Sequence, residues 1–436
     1  MQPFKHRSYL GWIRDLASTP RPYDRWPSIV IDDALMRDYD QTFAWMEKSG
    51  FNEIVLWGLF TDRNWEPDVE KTIDARRAAQ IRQLLDNAHK HGLKVLYGGG
   101  LYSWGFEKII AARPELGRGD ARNMSPAVPA AWEVQRRILD FIFSFPFDGC
   151  SLQSADLGRN PDPELKHLSD LEYHALVNER AAKYIKETYP GKIVGVSGWG
   201  MDFSNRADLP AIKQLASHLD YLVDVQDTAH AWRRELIEAI RPCAFGSTAS
   251  PNVEPPSHWE RDRWFLPITK RMATLLEELA RDGGSAVETY MRTRNNPGDE
   301  MSIEVAARVL KDPTIGWHTA LSQSVDELYR PKTGAARERL VALFERAEDA
   351  YYANAHTGPA EIVRVEPLEG DEVGPPIYLR DRMNASELDA YAKEMNALRD
   401  EAKSLEGEVG DGARVRRIER CIGRALEDVA SVRKEK

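Results

Sequence analysis

Short apolar runs alternate with amphipathic helical stretches eight times up to about residue 310, and this alternation restricts the fold more than any other feature. The runs fall at 9–13, 53–57, 94–97, 149–153, 193–197, 221–225, 243–247 and 286–290. The stretches between them read as helices at about 74–91, 129–143, 169–189, 232–240, 261–281 and 302–310. Another helix, capped by Asp32 or Asp33 behind an extended 29–31 piece, has Leu35, Tyr39, Phe43 and Met46 as its apolar face. Short strands separated by helices form parallel βαβ units, and eight is the number at which parallel strands close a barrel with a filled interior. The expectation is an α/β protein: a (β/α)8 TIM barrel over 1–312.

From residue 313 the pattern becomes helical only. Helices are expected at about 312–328 and 335–353, then a Pro/Gly/Glu-rich break at 361–376, then a helical hairpin at about 386–434. The expected role of this 313–436 region is to pack on the barrel or on a second copy of the chain as a homodimer. The chain is 42% hydrophobic and 29% charged, with 59 Lys and Arg against 69 Asp and Glu, a formal charge of −10. That balance offers no basic footprint for a nucleic acid or an anionic lipid surface. Cys150, Cys243 and Cys421 are too few and too far apart for a disulfide framework or a CxxC metal site. No run of eighteen apolar residues suggests a membrane span, and the first residues lack an apolar leader segment, so a cytoplasmic location is expected.

In such a barrel the reactive groups stand at the C-terminal ends of the strands and in the loops after them. Those places hold Trp12 with Arg14 and Asp15, Trp57, Trp104, the run Gln153 to Arg159 containing Asp156, and Trp199. They also hold Asp224, Gln226 and Asp227, then Glu288 and Tyr290, then Arg292 and Arg294. Alternation along the strands, with Val223 and Val225 taken to face the helices, points Asp224 into the barrel together with Ser151, Gln153, Ser197, Glu288 and Tyr290. Indole rings offer apolar contact to the C–H face of a sugar ring and an N–H to its hydroxyls. Trp12, Trp57, Trp104 and Trp199, with Gln153, Arg159, Gln226, Tyr290 and Arg292, therefore suit a carbohydrate. The arginines would meet an anionic group such as a uronate carboxylate.

Glycosidic cleavage needs one carboxyl group that donates a proton and a second that attacks or activates water. Asp156 is the candidate acid and Glu288 the candidate base or nucleophile, with Asp224 and Asp227 competing for the second role. No cofactor is required. Two other readings compete. In a metal-dependent sugar isomerase or lyase, Asp224 and Glu288 with His230 or His258 would hold a cation. A non-catalytic carbohydrate-binding barrel would use the tryptophans alone. Gly98-Gly99-Gly100 follows a strand but lacks the rest of a nucleotide-binding motif.

The segment Phe147 to Arg159, with Asp148-Gly149, Leu152 and Asp156-Leu157-Gly158, resembles the fourth strand of TIM-barrel glycoside hydrolases broadly similar to α-glucuronidases and β-hexosaminidases. Gly50 to Trp57 and His91 to Val95 look like the second and third strands of these barrels. The resemblance implies a general acid after strand four, which falls on Asp156. The chain departs from the pattern in two places. The adjacent Asp-Glu pair of the hexosaminidases is missing after strand four, and strand seven ends in Ser247-Thr248-Ala249-Ser250, with Glu254 the nearest carboxylate.

Overall fold

A computed structural model describes residues 1–19, 29–60, 64–154, 157–225, 232–248, 265–290, 294, 296–355, 379 and 382–436. Eight parallel strands close into a barrel in sequence order: β1 (His6–Trp12), β2 (Glu53–Trp57), β3 (Lys94–Gly100), β4 (Gly149–Gln153), β5 (Ile193–Ser197), β6 (Tyr221–Asp224), β7 (Ala244–Ser247) and β8 (Ala286–Tyr290), with β1 paired to β8. Around them lie α1 (Ile13–Leu16), α2 (Asp33–Ser49), α3 (Ala75–Lys90), α4 (Glu107–Ala112), α5 (Pro129–Phe143), α6 (Asp170–Thr188), α7 (Leu209–Ala216), α8 (Arg233–Ala239), α9 (Thr269–Asp282) and α10 (Pro297–Lys311).

Local chemistry fixes these boundaries. The Asp32 carboxylate accepts the Leu35 N–H at 2.8 Å and starts α2, whose Leu35, Tyr39, Phe43 and Met46 are all buried. Ser169 and Glu172 form a reciprocal capping box on α6. The last barrel helix begins at Pro297 rather than 302, because Asn296 caps it and proline fits the first helical position. The short helices α1, α4 and α7 are additions to the sequence reading, and Ile13, expected to end the first strand, begins α1. The segment 261–264 lies outside the described residues, and α9 starts at Thr269.

At the N-terminal face, Asp148 accepts the Val95 N–H at 2.8 Å and contacts His89 at 2.9 Å, tying β3 to β4. Asp220 does the same for Val194 and Lys186. The Asp148-Gly149 pair is therefore a strand anchor. His89 and His91 sit at the C-terminus of α3 hydrogen-bonded to carboxylates, His89 with Asp148 and His91 with Asp40 and Glu47.

The chain continues as α11 (Trp317–Tyr329), α12 (Gly334–Asn354), α13 (Ala385–Leu405) and α14 (Gly412–Glu435). An Arg433–Asp389 ion pair marks α13 and α14 as antiparallel. Their apolar faces are buried inside the chain, in the same hydrophobic cluster as the outer face of the barrel. Two carboxylates bind this region to the barrel. Buried Glu348 of α12 accepts the Thr269 hydroxyl at 3.1 Å and the Lys270 and Arg271 N–H groups at 3.0 Å, which caps the start of α9. Buried Glu300 of α10 meets Arg414 and Arg417 of α14. Among the described residues, no helix is long and apolar enough to cross a membrane.

Candidate active site

The pairing register assigns each strand residue to the barrel axis or to the helix layer. Tyr221 pairs with Ala244, Val223 with Gly246, Gly246 with Ala286, and Ser8 with both Glu288 and Glu53. The inner cluster comprises Leu10, Trp12, Val55, Trp57, Leu96, Tyr221, Val223, Ala244 and Ala286. Leu222, Phe245 and Val287 belong to the outer one. Ser151 and Glu288 face inward, as alternation indicates.

On β6 the sequence reading is one residue out. Val223 lies inside and Asp224 faces the helices, in a small cavity with Arg233 of α8, Ser247 of β7 and Leu275 and Leu279 of α9. The physical reason is that a filled barrel is apolar on its inner surface too, so a valine does not by itself mark the outer face. The bulk is supplied by Tyr221: a Cβ on Gly195 would lie 2.0 Å from its ring. This placement takes Asp224 out of reach of a ligand in the mouth.

Glu288 is also relocated. As the third of the five β8 residues it sits at mid-height on the barrel axis, fully enclosed. Ser151 and Tyr221 both donate to its Oε1, at 2.6 and 2.8 Å. Burial pushes its carboxyl up to about 7, against the pull of the Ser151 and Tyr221 hydroxyls and with a further push from Glu53. Glu53 is held in the same compartment by His6 at 2.8 Å and Ser8 at 2.9 Å. Glu288 therefore does not front the mouth as expected; it is enclosed at mid-barrel, and an aromatic floor lies toward the C-terminal end of the same interior.

That floor consists of Trp12 from the end of β1 and Trp57 from the end of β2, with ring centroids 5.8 Å apart and exposures of only 5% and 7%. Trp104, beyond β3, meets Trp12 edge-on at 5.0 Å and is the half-buried member of the three. The glycine run of β3 makes this arrangement feasible, since a Cβ on Gly98 would stand 2.2 Å from the Trp57 Nε1. The sequence reading treated that run only as a failed nucleotide motif. The available signal was a glycine inside a strand, which marks close approach by another group.

On the opposite side, Gln153 ends β4 half-buried, its carbonyl accepting the Leu101 N–H at 2.6 Å, and Trp199 is half-buried on the turn after β5. Ser154 shares a 2.9 Å hydrogen bond with His174 Nδ1 and accepts from Asn178 at 2.8 Å, locking the end of β4 to α6. Burial pushes His174 down to about 4, so at neutral pH this lock is uncharged. Sequence reading missed it. Arg159 is spent inside its own loop, donating to the Leu165 and Leu168 carbonyls and to Asp170 while covering the Tyr173 ring. It is not placed to receive an anionic ligand. Asp156, Gln226, Asp227, Arg292, His230, His258, Glu254 and the side chain of Tyr290 lie outside the described residues.

No protein-family model matches the sequence, and a search of curated proteins finds no match. The fold is matched by solved structures. A GH138 enzyme described as targeting pectin rhamnogalacturonan II aligns with a TM-score of 0.61 at 9% identity, over 99% of this chain and 58% of that one. CpGH84B aligns with a TM-score of 0.52 at 9% identity, covering 99% of this chain and 69% of the other. An O-GlcNAc hydrolase mutant from Thermobaculum terrenum gives 0.51 at 10% identity, covering 95% and 80%. The chain thus spans less than two thirds of the length of the GH138 enzyme. At these identities the likeness establishes the TIM-barrel fold with its helical extension.

Proposed function

We propose that the chain is a glycoside hydrolase that cleaves a glycosidic bond in an oligo- or polysaccharide. The observation that carries this reading is the indole cluster of Trp12, Trp57 and Trp104 across the C-terminal mouth, faced by Gln153 and Trp199. An aromatic bed bordered by the Gln153 amide complements the apolar face and the hydroxyl rim of a pyranose. The fold likeness to the GH138 enzyme, CpGH84B and the O-GlcNAc hydrolase supports the same class. Asp156, three residues beyond the end of β4, is the general acid. With Glu288 enclosed and Asp224 turned to the helices, Asp227 is the remaining candidate base or nucleophile. The acid protonates the departing oxygen while the second carboxylate attacks the anomeric carbon or deprotonates water. With Arg159 engaged in its loop, an anionic sugar would be met by Arg292.

The test is hydrolysis of a panel of aryl glycosides and oligosaccharides, neutral and uronate-containing. Wild type should turn over at least one of them. Asp156→Asn and Asp227→Asn should each lower kcat by on the order of 10²-fold or more, while Glu288→Gln retains turnover. Full activity in Asp156→Asn would sink the assignment, and inactivity of wild type on the whole panel would sink the class.

A further inference from the structure

Beneath the tryptophan floor, the barrel axis holds a sealed polar compartment that the proposed chemistry does not use. Its titratable members are His6 of β1, Glu53 of β2, Tyr221 of β6 and Glu288 of β8, joined by the hydroxyls of Ser8 and Ser151. All six are between 0 and 4% exposed. The strands between them present Leu96 from β3, Gly195 from β5 and Ala244 from β7 to the same interior, so among the described residues no other charge faces Glu288.

The hydrogen bonds in this compartment are distributed unevenly. Both Glu53 oxygens have a partner, His6 on one and Ser8 on the other. Among the described residues, Glu288 receives both of its donors on Oε1, and its buried Oε2 has none. An ionised carboxylate would leave half of its charge on an enclosed oxygen with no donor, which a low-dielectric interior strongly penalises. A neutral carboxylic acid fits the pattern, with Oε1 as the carbonyl oxygen accepting twice and Oε2 carrying the proton. The charge count agrees: within the closed space two carboxylates share one imidazole, and the neighbouring cation, Arg7, acts on Glu53 and not on Glu288.

We propose that Glu288 is stored as a neutral acid under the tryptophan floor, and that its ionisation as pH rises loosens the barrel from within, a pH-sensitive device built into the fold. The inference does not depend on the glycosidase reading. Its sign follows from the raised carboxyl. Glu288 moves from its ordinary 4.5 to about 7, so the folded state holds the proton more tightly than the unfolded one. The stabilisation is complete below about 4.5 and is lost as pH rises through about 7. His174 acts in the opposite direction: lowered from 6.5 to about 4, its contribution is lost as pH falls. The two slopes oppose each other in the wild type, so only a comparison with a variant isolates Glu288.

The experiment is equilibrium urea unfolding of wild type and Glu288→Gln from pH about 4 to about 8. Glutamine keeps the shape and neutrality of the acid and cannot ionise. The folding constant of wild type relative to the variant should fall on the order of 100-fold across that range, and the variant alone should show the acid-side slope of His174. Infrared spectra of the wild type should show the carbonyl band of a buried protonated carboxyl that disappears across the same window and moves in Tyr221→Phe. That measurement holds even where Glu288→Gln fails to fold. Parallel stability profiles, or absence of a protonated band that responds to Tyr221→Phe, would overturn the proposal.

Discussion

Gly98→Ala probes whether the indole floor depends on the glycine of β3. The added Cβ would lie 2.2 Å from Trp57 Nε1, 2.3 Å from Cδ1 and 2.7 Å from Cε2, whereas ordinary contact begins at 3.4 Å. The indole would have to retreat by about 1 Å, and its escape is blocked. Trp12 packs against it at 5.8 Å, and Trp12 in turn is held against Trp104 and lies where a Gly58 Cβ would come within 2.7 Å. Over-packing of a core costs about 1–3 kcal/mol, and a neighbour that cannot yield places this substitution near the upper end, at about 3 kcal/mol. Urea unfolding followed by far-ultraviolet circular dichroism should therefore show a lower midpoint at unchanged slope. Trp57→Ala removes the colliding atoms, so Gly98→Ala should cost at least about 1 kcal/mol less in that background, by the scale of couplings between touching residues. A single variant within about 0.5 kcal/mol of wild type, or strict additivity of the pair, would refute the packing argument.

Three further outcomes follow from the geometry. Glu348→Ala removes the cap from α9 and leaves two backbone N–H groups and a hydroxyl without their acceptor, so it should cost about 2–4 kcal/mol by urea unfolding, with Glu348→Gln recovering part. Tyr221→Phe deletes one of the two donors to Glu288, which should move that carboxyl further upward in carbon-13 titration and cost about 1 kcal/mol. Trp104→Ala, which removes the half-buried indole above the floor, should raise KM for an aryl glycoside that wild type hydrolyses by about 10-fold with a smaller change in kcat.

The barrel was legible because periodicity and punctuation are local. Strands 53–57, 149–153, 193–197 and 286–290 coincide with the observed ones, and Asp32 caps its helix as its position suggests. What escaped the sequence was set by three-dimensional filling. Nothing along 221–225 indicates that Tyr221 occupies the space above Gly195, and that occupancy is what turns Val223 inward and Asp224 toward Arg233. The role of Gly98 likewise appears only once Trp57 lies across it. Arg159 looked available because the Leu165 and Leu168 carbonyls that bind it carry no sequence signal.

The floor also constrains where catalysis could occur. Trp12 and Trp57 lie nearly buried at the C-terminal ends of β1 and β2 and Glu288 is fully enclosed, so a ligand on the C-terminal face does not reach Glu288 in this arrangement. On the proposed reading, the strand residues supply shape and apolar contact, and the proton-transferring groups are Asp156 and Asp227, which follow β4 and β6 in the sequence. The Ser154–His174–Asn178 lock and the Arg159 clasp acquire a purpose in that arrangement. They tie Ser154 and Arg159, which flank the proposed acid in the sequence, to α6, the kind of support that a proton-transferring group requires.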